Sequence, residues 1–545
     1  MAATLYRTGT LPKVRRDPTN TFYREVILRP ELHWRSVEAS VKERPAGTRL
    51  AGWKLHHWQL AGFFSSVVMA LSGTRVGNLP LDGQGHWWFA VPGVFSGIPG
   101  TIFAWVVFYA GLAGLSFSWW KLKAFADRQE LDSRQSLLTL VAWAAPLILG
   151  PPLFSGDIYS YIAQGTLAQE GLNPYQMGPA ALAPGPLLSS VAPVWMYTTA
   201  PYGPLWITIA RAVATVFGGS VPASAVAMRA VELGGPLLML RFLPRLASRM
   251  GANPSIALWL AVLSPLSMIS FLASGHNDSL MVGLTVAAVT LCLEGRYLAA
   301  VILAGLATTI KVPGLAGVVF VVLAWAATKP NRSERIRLAV SAGAVAAGVL
   351  AVVTEVSGLG WGWLGPSTLG TPTLVTIPSA PMVAFGMTIG NALGILGLPL
   401  STSTAVTIFQ GIGALGAVAV GVLTLFRAKG NTIPVALAAA FAGVVLLGPV
   451  LWPWYLMWSL ALLAATRAQN SRLLTAACFS GAVLLLPDGS STAVGPTYLV
   501  VSALAIYVAF WTIRSGHWRE LLPGLFGTIE AEQASFSRLA DGAML

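Results

Sequence analysis

Long apolar runs separated by short polar connectors fill the chain from residue 57 to residue 513. Many reach roughly 17–20 residues, the length at which an α-helix crosses a bilayer. The pattern predicts about fourteen spans, near 57–73, 100–120, 136–154, 222–242, 253–273, 278–294, 297–310, 312–327, 338–357, 403–426, 431–449, 455–466, 472–487 and 495–513. The alternating short segments of a membrane β-barrel do not occur. The expected fold is therefore all-α, a polytopic membrane protein. Only 10% of the 545 residues are charged and the mean hydropathy is +0.67, against about 25% charged residues in a soluble chain.

Charge placement orients the spans. With both termini cytosolic, all of the 34 Lys and Arg except Arg75, Arg211, Arg229 and Lys311 fall in cytosolic segments, as the positive-inside rule requires. The net charge of +13 thus reads as topology, and no nucleic-acid partner is expected. The first 55 residues hold eleven Lys/Arg and no apolar core, so they read as a cytosolic tail resting on anionic lipid, without a signal peptide. The expected organisation is this tail (1–55), one transmembrane domain (56–515) and a short cytosolic tail (516–545). Residues 202–218 are apolar enough to span, but a crossing there would put Arg241–Arg249 outside. They are expected to lie in the outer interface or to be re-entrant, with Arg211 near the surface. Cys292 and Cys478 both sit in apolar runs, which argues against a disulfide scaffold and a zinc site.

Three loops face outward: 74–99 with Asp82 and His86-Trp87-Trp88, 155–221, and 358–402 with Trp361 and Trp363. The most polar and Tyr-rich stretch is PPLFSGDIYSYIAQGTLAQEGLNPYQMGP, residues 151–179. A helix from Asp157 places Asp157, Ser160, Tyr161 and Gln164 on one side and Ile158, Ile162 and Gly165 on another. That predicts an amphipathic helix on the membrane surface. Its Asp157 either caps the helix or does chemistry, and the spacing leaves both open. His276-Asn277-Asp278-Ser279 stands at the outer end of a span, where dense polar groups mark a functional site or a solvated turn. Lys311, between two short apolar segments, either binds a phosphate or snorkels. Trp452-Pro453-Trp454-Tyr455 is an interfacial belt or a platform for a sugar ring. Arg229 and Glu232, three apart in one span, are expected to form an ion pair. There is no Asp-x-Asp pair and no Walker A sequence. The G-x-G-x-x-G strings at 360–365 and 411–416 follow no strand and are not nucleotide sites.

Together FSGDIYSYIAQG (154–165), GLNPYQMGP (171–179), APYGPLW (200–206), SGHNDSL (274–280), TIKVP (309–313) and WPWY (452–455) resemble the GT-C polyprenyl-phosphate-sugar glycosyltransferases. The likeness is greatest to the actinobacterial polyprenol-phosphate-mannose-dependent α-1,6-mannosyltransferases and covers roughly residues 56–515. It implies a GT-C fold with outer-face juxtamembrane helices, in the plasma membrane, with an extracytoplasmic active site in the first large loop. It implies a polyprenyl-phosphate-mannose donor and a lipid-anchored mannan acceptor, in the making of lipomannan and lipoarabinomannan. Asp157 is then the general base. Tyr159, Tyr161, Gln164, Tyr175, Tyr202, Arg211, His276, Asn277, Asp278, Lys311, Trp452, Trp454 and Tyr455 bind donor or acceptor. A lipid phosphate leaving group demands no metal, and no cofactor is expected. Gly156 departs from the family, where a charged residue, commonly Arg, precedes the Asp; Lys311 or Arg211 must then do more of the phosphate binding. A transporter or flippase of a lipid-linked sugar, or an enzyme using another sugar such as arabinose, is the competing reading. The gathering of polar clusters on one face favours an enzyme over a carrier with midplane sites.

Overall fold

The computed structural model describes residues 54–80, 88, 97–371, 376–490, 496–522 and 525. The basic tail to residue 53, Asp82, His86-Trp87 and most of the C-terminal tail lie outside the described residues. Among the described residues the structure is helical, with no strand beyond isolated bridges.

The first three helices are α1 (Leu55–Val76), α2 (Gly97–Asp127) and α3 (Ser133–Leu149). Asp132 caps α3 by accepting the Gln135 N–H at 2.8 Å, one of the donors a helix start leaves unsatisfied. Next come α4 (Asp157–Gln169), α5 (Pro204–Phe217), α6 (Val221–Glu232) and α7 (Gly234–Arg249). A broken span follows, α8 (Pro254–Ala261) and Pro265–Ala273, bent by 45° at Pro265 and ending in π-helical turns. Then follow α9 (Asp278–Leu293), α10 (Tyr297–Ile310), α11 (Leu315–Ala326) and α12 (Arg332–Ser357). The last six are α13 (Pro381–Ile395), α14 (Thr402–Arg427), α15 (Ile433–Leu447), α16 (Leu456–Leu463), α17 (Arg472–Ser480) and α18 (Thr497–Ser515).

Six helices among the described residues are long and apolar enough to cross a membrane, seven if the bent pair is one span. The expected fourteen is not reached on that measure. Several apolar runs end early, at breaks that hydropathy averages over: Lys311-Val312-Pro313-Gly314 separates α10 from α11, and α16 stops at Leu463. At 14 residues α5 extends about 21 Å, short of the ~30 Å hydrocarbon core, in keeping with a segment that does not span. Gly235 and Gly283 let α7 and α9 touch backbone to backbone, since a Cβ at Gly283 would lie 2.7 Å from the Gly235 carbonyl oxygen.

Two sequence expectations are corrected. Arg229 does not pair with Glu232 among the described residues. Its guanidinium donates to the carbonyls of Leu147 (2.8 Å), Gly150 (2.6 Å), Ala225 (3.2 Å) and Ala273 (3.4 Å). The ends of α3 and of the π-helical turns leave carbonyls without helical partners, and a buried guanidinium satisfies several at once. Nor is α4 a surface helix with a wet side. Ile158 to Gly165 are all buried, because α5 and α6 cover the face that sequence alone would leave to the interface.

Candidate active site

Asp157 is placed by the extended segment before it. Leu153 N–H donates to the Ala273 carbonyl at 3.1 Å, Phe154 N–H to the Pro487 carbonyl at 2.8 Å, and Ser274 Oγ to the Leu153 carbonyl at 2.7 Å. Phe154 is held at φ 66°, in the left-handed region, at a cost of about 1–3 kcal/mol that only a well-tied segment sustains. Gly156 is the N-cap of α4, with no side-chain cap. The Asp157 carboxylate instead accepts the Trp195 indole N–H at 2.9 Å. Capping, the bland alternative for Asp157, is not what the side chain does. His276 Nδ1 lies 3.6 Å from its other oxygen, too far for a hydrogen bond. Burial raises the Asp157 pKa to about 6, against the opposing effects of the Trp195 hydrogen bond and the Lys311 charge.

Lys311 sits in the extended link between α10 and the Val312–Gly314 turn. Its ammonium donates to Asp278 Oδ2 at 2.8 Å, and Trp458 Nε1 donates to Asp278 Oδ1 at 2.6 Å. The ammonium also lies 4.6 Å from the Tyr455 ring centre, a cation–π distance. The preceding loop is fastened to this turn. Gly203 N–H donates to the Ile310 carbonyl at 3.0 Å, and a Cβ at Gly203 would fall 2.1 Å from the Thr309 carbonyl oxygen. Only glycine permits that approach, which brings Tyr202 beside Lys311, 6.0 Å from ring centre to Nζ. His276 stacks on Trp454 at 3.5 Å, and Trp454 on Trp452 at 5.0 Å.

Asp157 and Lys311 open into one cavity of about 670 Å³. Trp195, Tyr202, Trp452, Trp454 and Tyr455 line the same end. From there the cavity runs into an apolar groove walled by Val319 and Phe320 of α11, Val418 and Val422 of α14, and Phe441 and Val444 of α15. Lys311 is the only Lys or Arg among the described residues that line it. Among the described residues, no three His, Cys, Asp or Glu side chains gather to hold a metal ion.

The other expected site residues lie outside the lining. Asp278 is fully buried behind Lys311 and Trp458, and His276 and Asn277 are buried with it. Tyr159 donates its hydroxyl to the Asn78 carbonyl at 2.6 Å. Tyr161 is wedged edge-on between Tyr202 and Trp206. Gln164 and Tyr175 are buried, Tyr175 against Gly362. Arg211 donates to the Ser357 carbonyl at 3.1 Å, tying α5 to the end of α12, which leaves Lys311 as the cation of the cavity. Sequence reading missed Trp195, Trp458 and the groove. A lone interfacial Trp carries no mark of its partner, and a groove between helices distant in sequence has no local signature.

The cavity draws on two stretches of chain that match known families separately. Residues 59–327 match the family described as alpha-(1->6)-mannopyranosyltransferase, N-terminal domain, and residues 382–515 match the MptB C-terminal domain. The chain is 34% identical over 407 residues to alpha-(1->6)-mannopyranosyltransferase A of Mycobacterium tuberculosis, covering 72% of this chain and 77% of that protein. It is 30% identical over 393 residues to alpha-(1->6)-mannopyranosyltransferase A of Corynebacterium glutamicum, covering 68% and 79%. With alpha-(1->6)-mannopyranosyltransferase B of the same organism it shares 28% identity over 531 residues, 88% and 85%. Asp157 and Lys311 fall in the first matched stretch and the Trp-Pro-Trp-Tyr wall in the second, and the chain belongs to the alpha-(1->6)-mannopyranosyltransferase family.

Proposed function

We propose that this chain transfers mannose from polyprenyl-phosphate-mannose to a hydroxyl of a lipid-anchored mannan, forming an α-1,6 linkage on the outer face of the plasma membrane. The observation that carries the reading is a single cavity in which a carboxylate, an ammonium and an aromatic wall open into an apolar groove. A sugar fits the aromatic end, a phosphate the ammonium, and an isoprenoid chain the groove.

In this mechanism Asp157 takes the proton of the acceptor 6-hydroxyl as its oxygen attacks the anomeric carbon. The new C–O bond forms as the bond to the phosphate oxygen breaks, and the electron pair leaves with the lipid phosphate. Lys311 offsets the charge that develops there. One displacement inverts the anomeric centre, so a β-linked donor gives an α-linked product. The transition state has oxocarbenium character, which the nearby carboxylate stabilises. A carboxyl titrating near 6 is ionised at neutral pH and more basic than an ordinary aspartate. Trp195 holds the carboxylate in place through its indole N–H.

The test is reconstitution of the full chain in proteoliposomes with polyprenyl-phosphate-mannose and a short α-mannoside acceptor. Transfer of mannose with α-1,6 linkage by NMR is expected. Preference for a polyprenyl-phosphate arabinose donor, or movement of the lipid-linked sugar across the bilayer without transfer, would overturn the reading.

A further inference from the structure

A second cavity, of about 750 Å³, shares no lining residue with the one at Asp157. It is lined by the last turns of α2, including Lys123, while α3, which starts just beyond α2, carries the chain through 17 residues toward Asp157. That helix is about 25 Å long, so the two cavities face opposite interfaces. The remaining walls come from Ile256 of α8, from Gln469 and Asn470, and from Arg472, Thr475 and Phe479 of α17.

The back of this cavity is a reciprocally hydrogen-bonded Trp pair. Trp119 and Trp259 stack at 4.4 Å and 5°, and each indole N–H donates to the other residue's carbonyl, at 2.9 and 2.7 Å. The front is open and apolar: Phe117, Trp120 and Phe479 are 49%, 54% and 50% exposed. Cations rim it. Lys121 lies 5.0 Å from the Phe117 ring centre and 4.7 Å from that of Trp120. Lys123 reaches Asp127 at 2.8 Å. Arg472 is exposed and makes no ion pair or hydrogen bond with any described residue. Three cations against one carboxylate leave the rim positive. The charge distribution also assigns this end to the side where basic residues collect.

We infer that this cavity binds an anionic phospholipid, its phosphate on Arg472 and Lys123 and its acyl chains over Phe117, Trp120 and Phe479. A guanidinium meets a phosphate through two parallel N–H donors, and a basic pocket between membrane helices at this interface suits such a headgroup. A soluble anion would leave the half-exposed aromatic wall without a role; a zwitterionic lipid would leave the excess positive charge unmatched. The inference does not depend on the sugar transferred at the other end.

The full chain, purified in detergent, is titrated with phosphatidylglycerol and followed by native mass spectrometry, with phosphatidylcholine in parallel and polyprenyl phosphate as competitor. Phosphatidylglycerol is expected to bind selectively. Arg472→Gln and Lys123→Gln should each weaken it about five-fold, the value of ~1 kcal/mol per basic residue, while Lys329→Gln leaves it unchanged. A photoreactive phosphatidylglycerol should label the wild-type chain within 117–123 and 472–479, which reads the site without any variant. Equal binding of phosphatidylcholine, unchanged binding by both variants, or labelling elsewhere would overturn the assignment. Displacement by polyprenyl phosphate at equal concentration would assign the cavity to the carrier lipid instead.

Discussion

Replacing Asp157 by Asn separates chemistry from structure, because the two are expected to move in opposite directions. The amide oxygen still accepts from Trp195 Nε1, which now lies 2.9 Å from the carboxylate. The side chain keeps its size and loses its basicity. General-base catalysis contributes about 10²–10⁴-fold, so transfer at pH 7 should fall by at least a hundredfold. Stability should rise. The wild-type carboxyl titrates near 6 in the fold and near 3.8 without it, so the folded state binds the proton more tightly. Between these values the native state holds more protons than the unfolded chain, and stability falls as pH rises through that window. Above pH 6 the buried anion costs on the order of 3 kcal/mol. Asn does not titrate and escapes that cost. The thermal midpoint of Asp157→Asn relative to wild type should therefore climb by a few degrees from pH 4 to pH 7, then level off. The wild-type rate should drop tenfold per pH unit below about 6, where the base is protonated. Transfer by Asp157→Asn within tenfold of wild type, or a midpoint difference that ignores pH between 4 and 7, would refute the reasoning.

Three further perturbations probe the same cavity. Lys311→Met leaves Asp278 buried without its cation, which should cost about 3–5 kcal/mol; adding Asp278→Asn should restore the thermal midpoint but not donor turnover if Lys311 also serves the phosphate. Trp195→Phe removes a hydrogen bond that lowers the Asp157 pKa, so the acidic limb of the rate profile should move to higher pH, and an unmoved limb would exclude the contact from the working enzyme. Gly421 lines the groove, and a Cβ there meets open space; Gly421→Phe should raise KM for a long-chain polyprenyl donor several-fold and spare a short-chain analogue, whereas equal effects on both would place the chain elsewhere.

Much of the candidate site was legible because its residues stand where the sequence itself announces a break. Asp157 follows Phe154-Ser155-Gly156, Lys311 precedes Val312-Pro313-Gly314, and Trp452 to Tyr455 surround Pro453. Polar or aromatic residues at breaks between apolar runs carry a cost in a membrane, so each stood out locally. Their common cavity was also suggested by charge parity, which placed them at one face. The same local view failed for residues whose partners are distant. Arg229 and Glu232 are neighbours on a helix, yet Arg229 spends its donors on carbonyls 79 and 82 residues away, of Gly150 and Leu147. Asp278 was expected to bind donor or acceptor beside Asp157, but Lys311 and Trp458, the latter 180 residues along, close over it, and Asp157 alone of the two lines the cavity.

The sequence by itself determined that this is an all-helical membrane chain of mannosyltransferase kin, with a carboxylate and a lysine at breaks between apolar runs. Those properties reside in composition, charge order and short motifs, which survive without knowledge of contacts. The tertiary structure alone decided how far each apolar run continues as helix, that Trp195 rather than a helix N–H engages Asp157, and that α11, α14 and α15 enclose a groove at the lysine. Helix ends, hydrogen-bond partners and cavities are set by which backbones can approach one another, at Gly203 and Thr309 or at Gly235 and Gly283, and such approaches join residues that no local window holds together.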